Sequence, residues 1–206
     1  MKIRNKIIAL MISLIAIPTF AVAKDGPYIG AKAAKIDIDY KTVDNVDLNR
    51  IFPSDFEALD LHLGYNLGSG FFELGYINSN KESKNLGTAV FSGVTLTGNT
   101  SLEFDGYRIG AGYNFPINKQ FVIKPFINYY DLDITASGTL TATSGSTTVS
   151  ATTTVSGSDE MIDAGLGFDY LIDERSKISF GYARTLDSLD DTDNVQTFSL
   201  SFNHQF

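Results

Sequence analysis

Phe198-Ser199-Leu200-Ser201-Phe202-Asn203-His204-Gln205-Phe206 is the stretch on which the fold turns. From Phe198 every second residue is apolar or aromatic, with one lapse at His204, and the residues between are small or polar. This is period-two patterning, with one greasy face and one wet face. An aromatic strand at a free terminus is an open edge in a water-soluble protein. A strand that closes a barrel inside a bilayer has no such problem, because closure removes edges.

This ending resembles that of bacterial outer-membrane β-barrel proteins, whose last strand closes on a terminal Phe after alternating apolar residues. The resemblance implies that Phe198, Leu200, Phe202 and Phe206 form an insertion signal read by the barrel-assembly machinery. His204 stands where the family more often carries an aromatic or aliphatic residue. At the other end, Lys2, Arg4 and Lys6 precede the apolar run Ile7–Ile17, Pro18, and the small-residue site Ala21-Val22-Ala23. That order predicts a secretory signal peptide over Met1–Ala23 and a barrel domain over Lys24–Phe206. The apolar run is too short for a spanning helix, which needs about 20 residues.

Removing the 23-residue leader from 206 leaves 183 residues, enough for one domain, and takes three positive charges from a formal net charge of −8. So acidic a chain offers no basic surface and excludes nucleic acid as a partner. There is no cysteine, hence no disulfide framework and no thiol chemistry. Mean hydropathy is near zero, as expected where lipid-facing and inward residues alternate and cancel. The aromatics are 10 Tyr and 15 Phe with no Trp; Tyr suits a membrane–water boundary.

Eight strands can be read in order. Tyr28–Ile38 is the first, with Ile29, Ala31 and Ala33 on one face and Gly30 and Lys32 on the other. Lys35–Tyr40 alternates on the opposite parity, so either a bulge shifts the phase or the strand has left the membrane. A polar loop, 41–55, follows. Leu59, Leu61, Leu63, Tyr65 and Leu67 face outward on the second strand, with Asp60, His62, Gly64 and Asn66 inward. After the turn Gly68-Ser69-Gly70, the third strand places Phe72, Leu74 and Tyr76 outward and Glu73 and Gly75 inward. Leu86–Thr100 reads as a long connection.

The fourth strand sets Tyr107 and Ile109 against Arg108 and Gly110. The fifth (Phe121–Ile134) sets Ile123 and Ile127 against Lys124 and Asn128, with irregular pairing expected near Pro125. Ser137–Ser158 is low in complexity, but its Thr and Val content favours a tall hairpin turning at Ser144-Gly145-Ser146. The sixth strand sets Leu166 and Phe168 against Asp163 and Asp169. The seventh sets Ile178 and Phe180 against Ser179 and Gly181. Connections after strands two, four and six are short and the others longer, except for the brief acidic segment 187–194. These features predict an all-β fold: an eight-stranded antiparallel up-and-down transmembrane β-barrel. It is similar to the OmpA transmembrane-domain type, in the outer membrane of a Gram-negative bacterium.

The inward ionisable residues Lys32, Asp60, Glu73, Arg108 and Lys124 are expected to form a structural ionic cluster. Glu73 paired with Arg108 or Lys32 is the preferred arrangement, because an unpaired buried charge is very costly. A gated ion pathway is the alternative. Asp60 and His62 share a face and could make an acid–base pair, though no serine accompanies them in a recognisable arrangement; polar filling is preferred. Asp187, Asp190, Asp191 and Asp193 are candidate ligands for Ca²⁺ or Mg²⁺, against the plainer reading of a solvated loop. The expected protein is a monomer without cofactor. It has a structural or surface-interaction role, with outer-membrane lipids, lipopolysaccharide and an unidentified cell-surface ligand as partners. A small porin is the alternative, and an outer-membrane enzyme acting on lipid or peptide is the more distant one.

Overall fold

The computed structural model describes residues 25–187 and 189–206; the expected signal peptide lies outside them. The strands are β1 (Gly26–Tyr40), β2 (Thr42–Val43), β3 (Val46–Asp47), β4 (Asp55–Leu67), β5 (Gly70–Ser79) and β6 (Glu82–Phe91). They continue with β7 (Val94–Tyr113), β8 (Phe115–Pro116), β9 (Phe121–Ser144), β10 (Thr147–Leu171), β11 (Ser176–Asp187) and β12 (Thr192–Gln205). Eight of them are staves: β1, β4, β5, β7, β9, β10, β11 and β12. Each stave pairs antiparallel with its neighbours in the chain, and β1 pairs with β12 from Tyr28↔Gln205 to Tyr40↔Thr192, which joins the two ends of the sheet. The terminal aromatic strand is therefore a closing stave.

Three turns are tight, at Gly68-Ser69, 117–120 and 172–175, and they lie together at one end of the barrel. Backbone bonds run between them, from Asn114 N–H to Ser69 O (2.7 Å), Leu171 N–H to Gln120 O (2.8 Å) and Gln205 N–H to Arg175 O (2.7 Å). In the third turn Asp173 accepts from the amides of Arg175 and Ser176, both at 2.7 Å. At Pro125 the β7–β9 ladder stops at Gly112↔Phe126 and resumes in the same register at Phe115↔Ile123 on β8. The irregularity expected there is a lapse in pairing, and no bulge is needed.

The sequence expected a phase change in the upper part of the first strand. The pairing of β1 with β4 is unbroken from Gly26↔Asn66 to Asp37↔Asp55, so no bulge intervenes and it is the surroundings that change. Below Ala33 the outward residues are Ile29, Ala31 and Ala33. Above it the inward residues are Ala34, Ile36, Ile38 and Tyr40, all buried, while Lys35, Asp37 and Asp39 point outward. The same inversion occurs on β7, where Leu102 and Phe104 turn inward above Arg108. It recurs on β9, where Tyr130 and Leu132 turn inward above Asn128.

The upper interior is thus an ordinary apolar core. Phe56 and Phe104 meet edge to face with centroids 5.5 Å apart, and Met161, Leu189 and Val195 complete the layer. Loop 41–54 folds over it. The β2–β3 hairpin turns through Asp44 and Asn45 with positive φ (49° and 64°), as a two-residue hairpin turn requires. Tyr40 then donates to Pro53 O at 2.9 Å, and Leu48 and Phe52 pack on the core.

Leu86–Thr100 is not a loose connection. β6 folds back on β7 from Glu82↔Leu102 to Phe91↔Val94, turning at Ser92-Gly93.

Two outcomes follow from this architecture. Phe56→Ala empties a fully buried ring site and should lower stability in a denaturant titration by about 3–5 kcal/mol. Asp173 is held below the ordinary aspartate range, first by the Arg175 and Ser176 amides. Its contribution is present above about pH 3.9 and is lost as pH falls through the folded value. The stability difference between Asp173→Ala and the parent should therefore be seen at neutral pH and vanish in acid.

Candidate functional site

The lower interior is a layer of paired charges. Strand alternation aims one side chain in two at the axis, and eight staves leave an interior just wide enough for them. Arg108, on β7 and fully buried, is the hub. Its Nε donates to Asp60 Oδ2 at 2.5 Å and its Nη2 to Asp60 Oδ1 at 3.2 Å. Its Nη1 donates to Glu73 Oε2 at 2.9 Å and to Asn128 Oδ1 at 3.0 Å. Arg108 stands opposite Gly75 on β5. A Cβ on Gly75 would come within 3.1 Å of Asp60 Oδ1 and 3.2 Å of Arg108 Nη2, so glycine there lets the guanidinium reach past β5 to β4.

Glu73 also accepts from Lys124 Nζ at 3.0 Å and from Tyr28 OH at 2.8 Å. Lys124 lies over the Phe71 ring, 4.0 Å from its centroid. All five residues of the expected ionic cluster are brought together, with one repairing. Lys32 is directly opposite Asp60 in the β1–β4 register and pairs with it at 3.7 Å, rather than with Glu73.

Several members of the layer escaped the sequence reading. Lys177, which lies before the first residue read for the seventh strand (Ile178), is the second residue of β11 and donates to Asp169 Oδ2 at 2.6 Å. Tyr28 and Tyr130 are interior hydrogen-bonding groups, not boundary residues; Tyr130 OH donates to Asp163 Oδ2 at 3.1 Å, and Asn128 donates to Asp163 Oδ1 at 2.8 Å. Parity from Lys124 and Asn128 carried the signal for Tyr130. His62 joins Asp60 through Nδ1 (2.9 Å) and Asn203 through Nε2 (2.7 Å). The formal charges cancel: Lys32, Arg108, Lys124 and Lys177 stand against Asp60, Glu73, Asp163 and Asp169. Interior cavities measure about 30 to 40 Å³, room for roughly three waters each.

Outward, Phe198, Leu200 and Phe202 lie on the lipid face of β12, and Phe206 is exposed at its end. Ring pairs mark both borders of the apolar band, Tyr76–Tyr107 (5.5 Å) and Tyr182–Phe198 (4.9 Å) above, Phe121–Tyr170 (5.3 Å) below.

The four aspartates of the acidic segment are not gathered. Asp187 ends β11 and Asp193 lies within β12. Asp190 is engaged through its backbone, its amide donating to Asp159 Oδ2 and its carbonyl accepting from Lys41 Nζ at 2.6 Å. Among the described residues no group of three or more His, Asp or Glu is placed to hold a metal ion.

Above the membrane β6, β7, β9 and β10 continue as a four-stranded sheet, rising roughly 35 Å along the strands. No charged residue occurs in 86–102 or in 134–158, in a chain that is 19% charged. Hydroxyl pairs cross from β9 to β10 at every second residue: Thr135–Ser156 (3.0 Å), Ser137–Thr154 (3.0 Å), Thr139–Thr152 (2.9 Å), Thr141–Ser150 (2.9 Å) and Thr143–Thr148 (3.2 Å). The Ser137–Ser158 segment is the tall hairpin, turning at Gly145-Ser146.

The family described as "outer membrane protein beta-barrel domain" matches residues 7–206. No curated protein matches in sequence. Among solved structures, neisserial surface protein A (NspA) is similar at 12% identity, covering 88% of this chain and 97% of that one, with a TM-score of 0.52. OprG of Pseudomonas aeruginosa is similar at 10% identity, 89% and 98% coverage and a TM-score of 0.46. Ail, the attachment invasion locus protein of Yersinia pestis, follows at 18% identity, 88% and 97% coverage and a TM-score of 0.38. At these identities the likeness is one of fold. The chain belongs to the outer-membrane β-barrel family and resides in the outer membrane of a Gram-negative bacterium.

Removing one partner of the ionic layer should be expensive. Glu73→Ala leaves Arg108 and Lys124 facing each other with less counter-charge, and unfolding from lipid vesicles should show a loss of about 3–5 kcal/mol.

Proposed function

We propose that this protein is a non-conducting membrane anchor for the extracellular sheet, with a structural and surface-contact role. The observation that carries the reading is the two-layer interior. An ion entering from outside would meet the apolar core around Phe56, Phe104 and Leu132, where a bare charge is strongly disfavoured. Below it, each cation is already engaged with a carboxylate, and Asp163 is held by Asn128 and Tyr130. Asp60 and His62 belong to that buried network, which supports a packing role for them over catalysis.

Outer-membrane lipid is the solvent of the outward apolar band, and lipopolysaccharide headgroups meet the acidic girdle above it. Phe198, Leu200, Phe202 and Phe206 present the assembly machinery with the outward stripe of the closing stave. The exposed sheet is the part free to meet another surface.

Planar-bilayer recording from the purified barrel is the test. The expected trace stays at the baseline of the protein-free membrane. Sustained unitary openings would replace this reading with that of a small porin.

A further inference from the structure

The extracellular sheet has two edges, and they are built differently. The β6 edge carries Glu82 and Lys84 at its base and a register shift between Asn85 and Gly87, with Gly87 at φ +98°. Charge and a bulge are what protect an edge strand from pairing with another chain. The β10 edge also has charge at its base, Asp159 and Glu160, but no bulge against β9. From Thr147 to Ser158 it pairs only with β9, since its ladder with β11 begins at Ile162↔Asp187. All twelve of these residues are exposed, the ladder has no register shift, and the stretch holds neither charge nor proline. One edge of a single sheet is blunted and the other is left able to accept a strand.

The sequence of that edge also indicates which strand. Two copies of β10 related by a two-fold axis through Thr152 would run antiparallel, with like faces together. Thr148 then meets Ser156 of the second copy, Ser150 meets Thr154, and Thr152 meets its own counterpart. On the other face Val149 meets Val155 and Ala151 meets Thr153. Every cross-pair on the first face joins two hydroxyls, as the β9–β10 ladder already does at 2.9 to 3.2 Å. Centring the axis on Ala151 would instead set Val149 against Thr153 and Thr147 against Val155. Cross-strand pairs of matched kind are the unit of sheet stabilisation. Because the strands run in opposite directions, the two barrels lie at opposite ends of the joined sheet, in membranes that face each other.

We propose that the β10 edge, Thr147–Ser158, is a homophilic docking strand. It pairs with the same strand of a second copy on an apposed membrane, in the register centred on Thr152. This rests on the reading of the sheet as the surface-contact element and names its partner.

The chain has no cysteine, so single cysteines report register directly. Intact cells displaying Thr152→Cys should form a disulfide-linked dimer under mild oxidation, and cells displaying Ser150→Cys should not. Mixing Ser150→Cys cells with Thr154→Cys cells should restore the cross-link. Thr152→Lys sets two cations opposite each other and should abolish clumping, while Thr97→Lys, on β7 and away from the edge, should leave clumping intact. Equal cross-linking of Thr152→Cys and Ser150→Cys, no cross-linking at all, or equal loss with Thr97→Lys would overturn the inference.

Labelling of Thr152→Cys by a membrane-impermeant maleimide separates the two levels of the reading. A site that labels but never cross-links sinks the homophilic strand alone. A site that never labels also sinks the surface-presented sheet.

Discussion

What surrounds the barrel changes along each strand, from lipid to water, and the rest of the structure depends on that change. A strand alternates its side chains with a fixed period of two. It cannot shift that alternation when the solvent changes, unless a bulge is inserted. The chain instead exchanges the chemistry of its two faces. On β1, β7 and β9 the outward set passes from aliphatic and aromatic residues to carboxylates, while the inward set passes from charge and glycine to an apolar core. The lower half is a membrane protein, greasy outside and polar within. The upper half is organised like a soluble barrel.

The two interiors support one another. Charges in the lower half are tolerable because each finds a partner close at hand: Arg108 holds both Asp60 and Glu73, and Lys124 and Tyr28 share Glu73. The apolar layer above, covered by loop 41–54 and Leu189, separates this network from the outside. A protein arranged in this way keeps its interior for stability and leaves recognition to the sheet above the membrane. The upper part of that sheet departs from the rest of the chain in composition: 86–102 and 134–158 hold no charge, and the hydroxyls of β9 and β10 are paired across strands. Carboxylates there would instead repel any approaching anionic surface.

The outline of this fold was legible in the sequence because alternation is a local signal. The aromatic closing strand, the three tight turns and the ionic residues on the inward parity all follow from reading every second residue. What the sequence did not yield depends on register. Lys32 meets Asp60 because β1 and β4 align those two residues, and nothing local places it there rather than beside Glu73. Lys177 was missed because its strand begins at Ser176, two residues before its hydrophobic pattern starts at Ile178. The apolar core was hidden because inward faces were read only where the outside was lipid. Its signal was present in Lys35–Tyr40, where the alternation is perfect and only the polarity is reversed.

The most direct measurement follows this reversal along one strand. Single cysteines at the outward positions of β9, from Ile123 through Ile127, Tyr129, Asp131 and Asp133 to Thr135, can carry spin labels in the reconstituted barrel. Collision with oxygen, which partitions into lipid, is then compared with collision with a water-soluble paramagnetic complex. The expected profile is lipid-dominated through Ile127 and crosses to water-dominated between Tyr129 and Asp131. An outward face that is water-accessible along its whole length, or lipid-dominated as far as Thr135, would contradict the inversion.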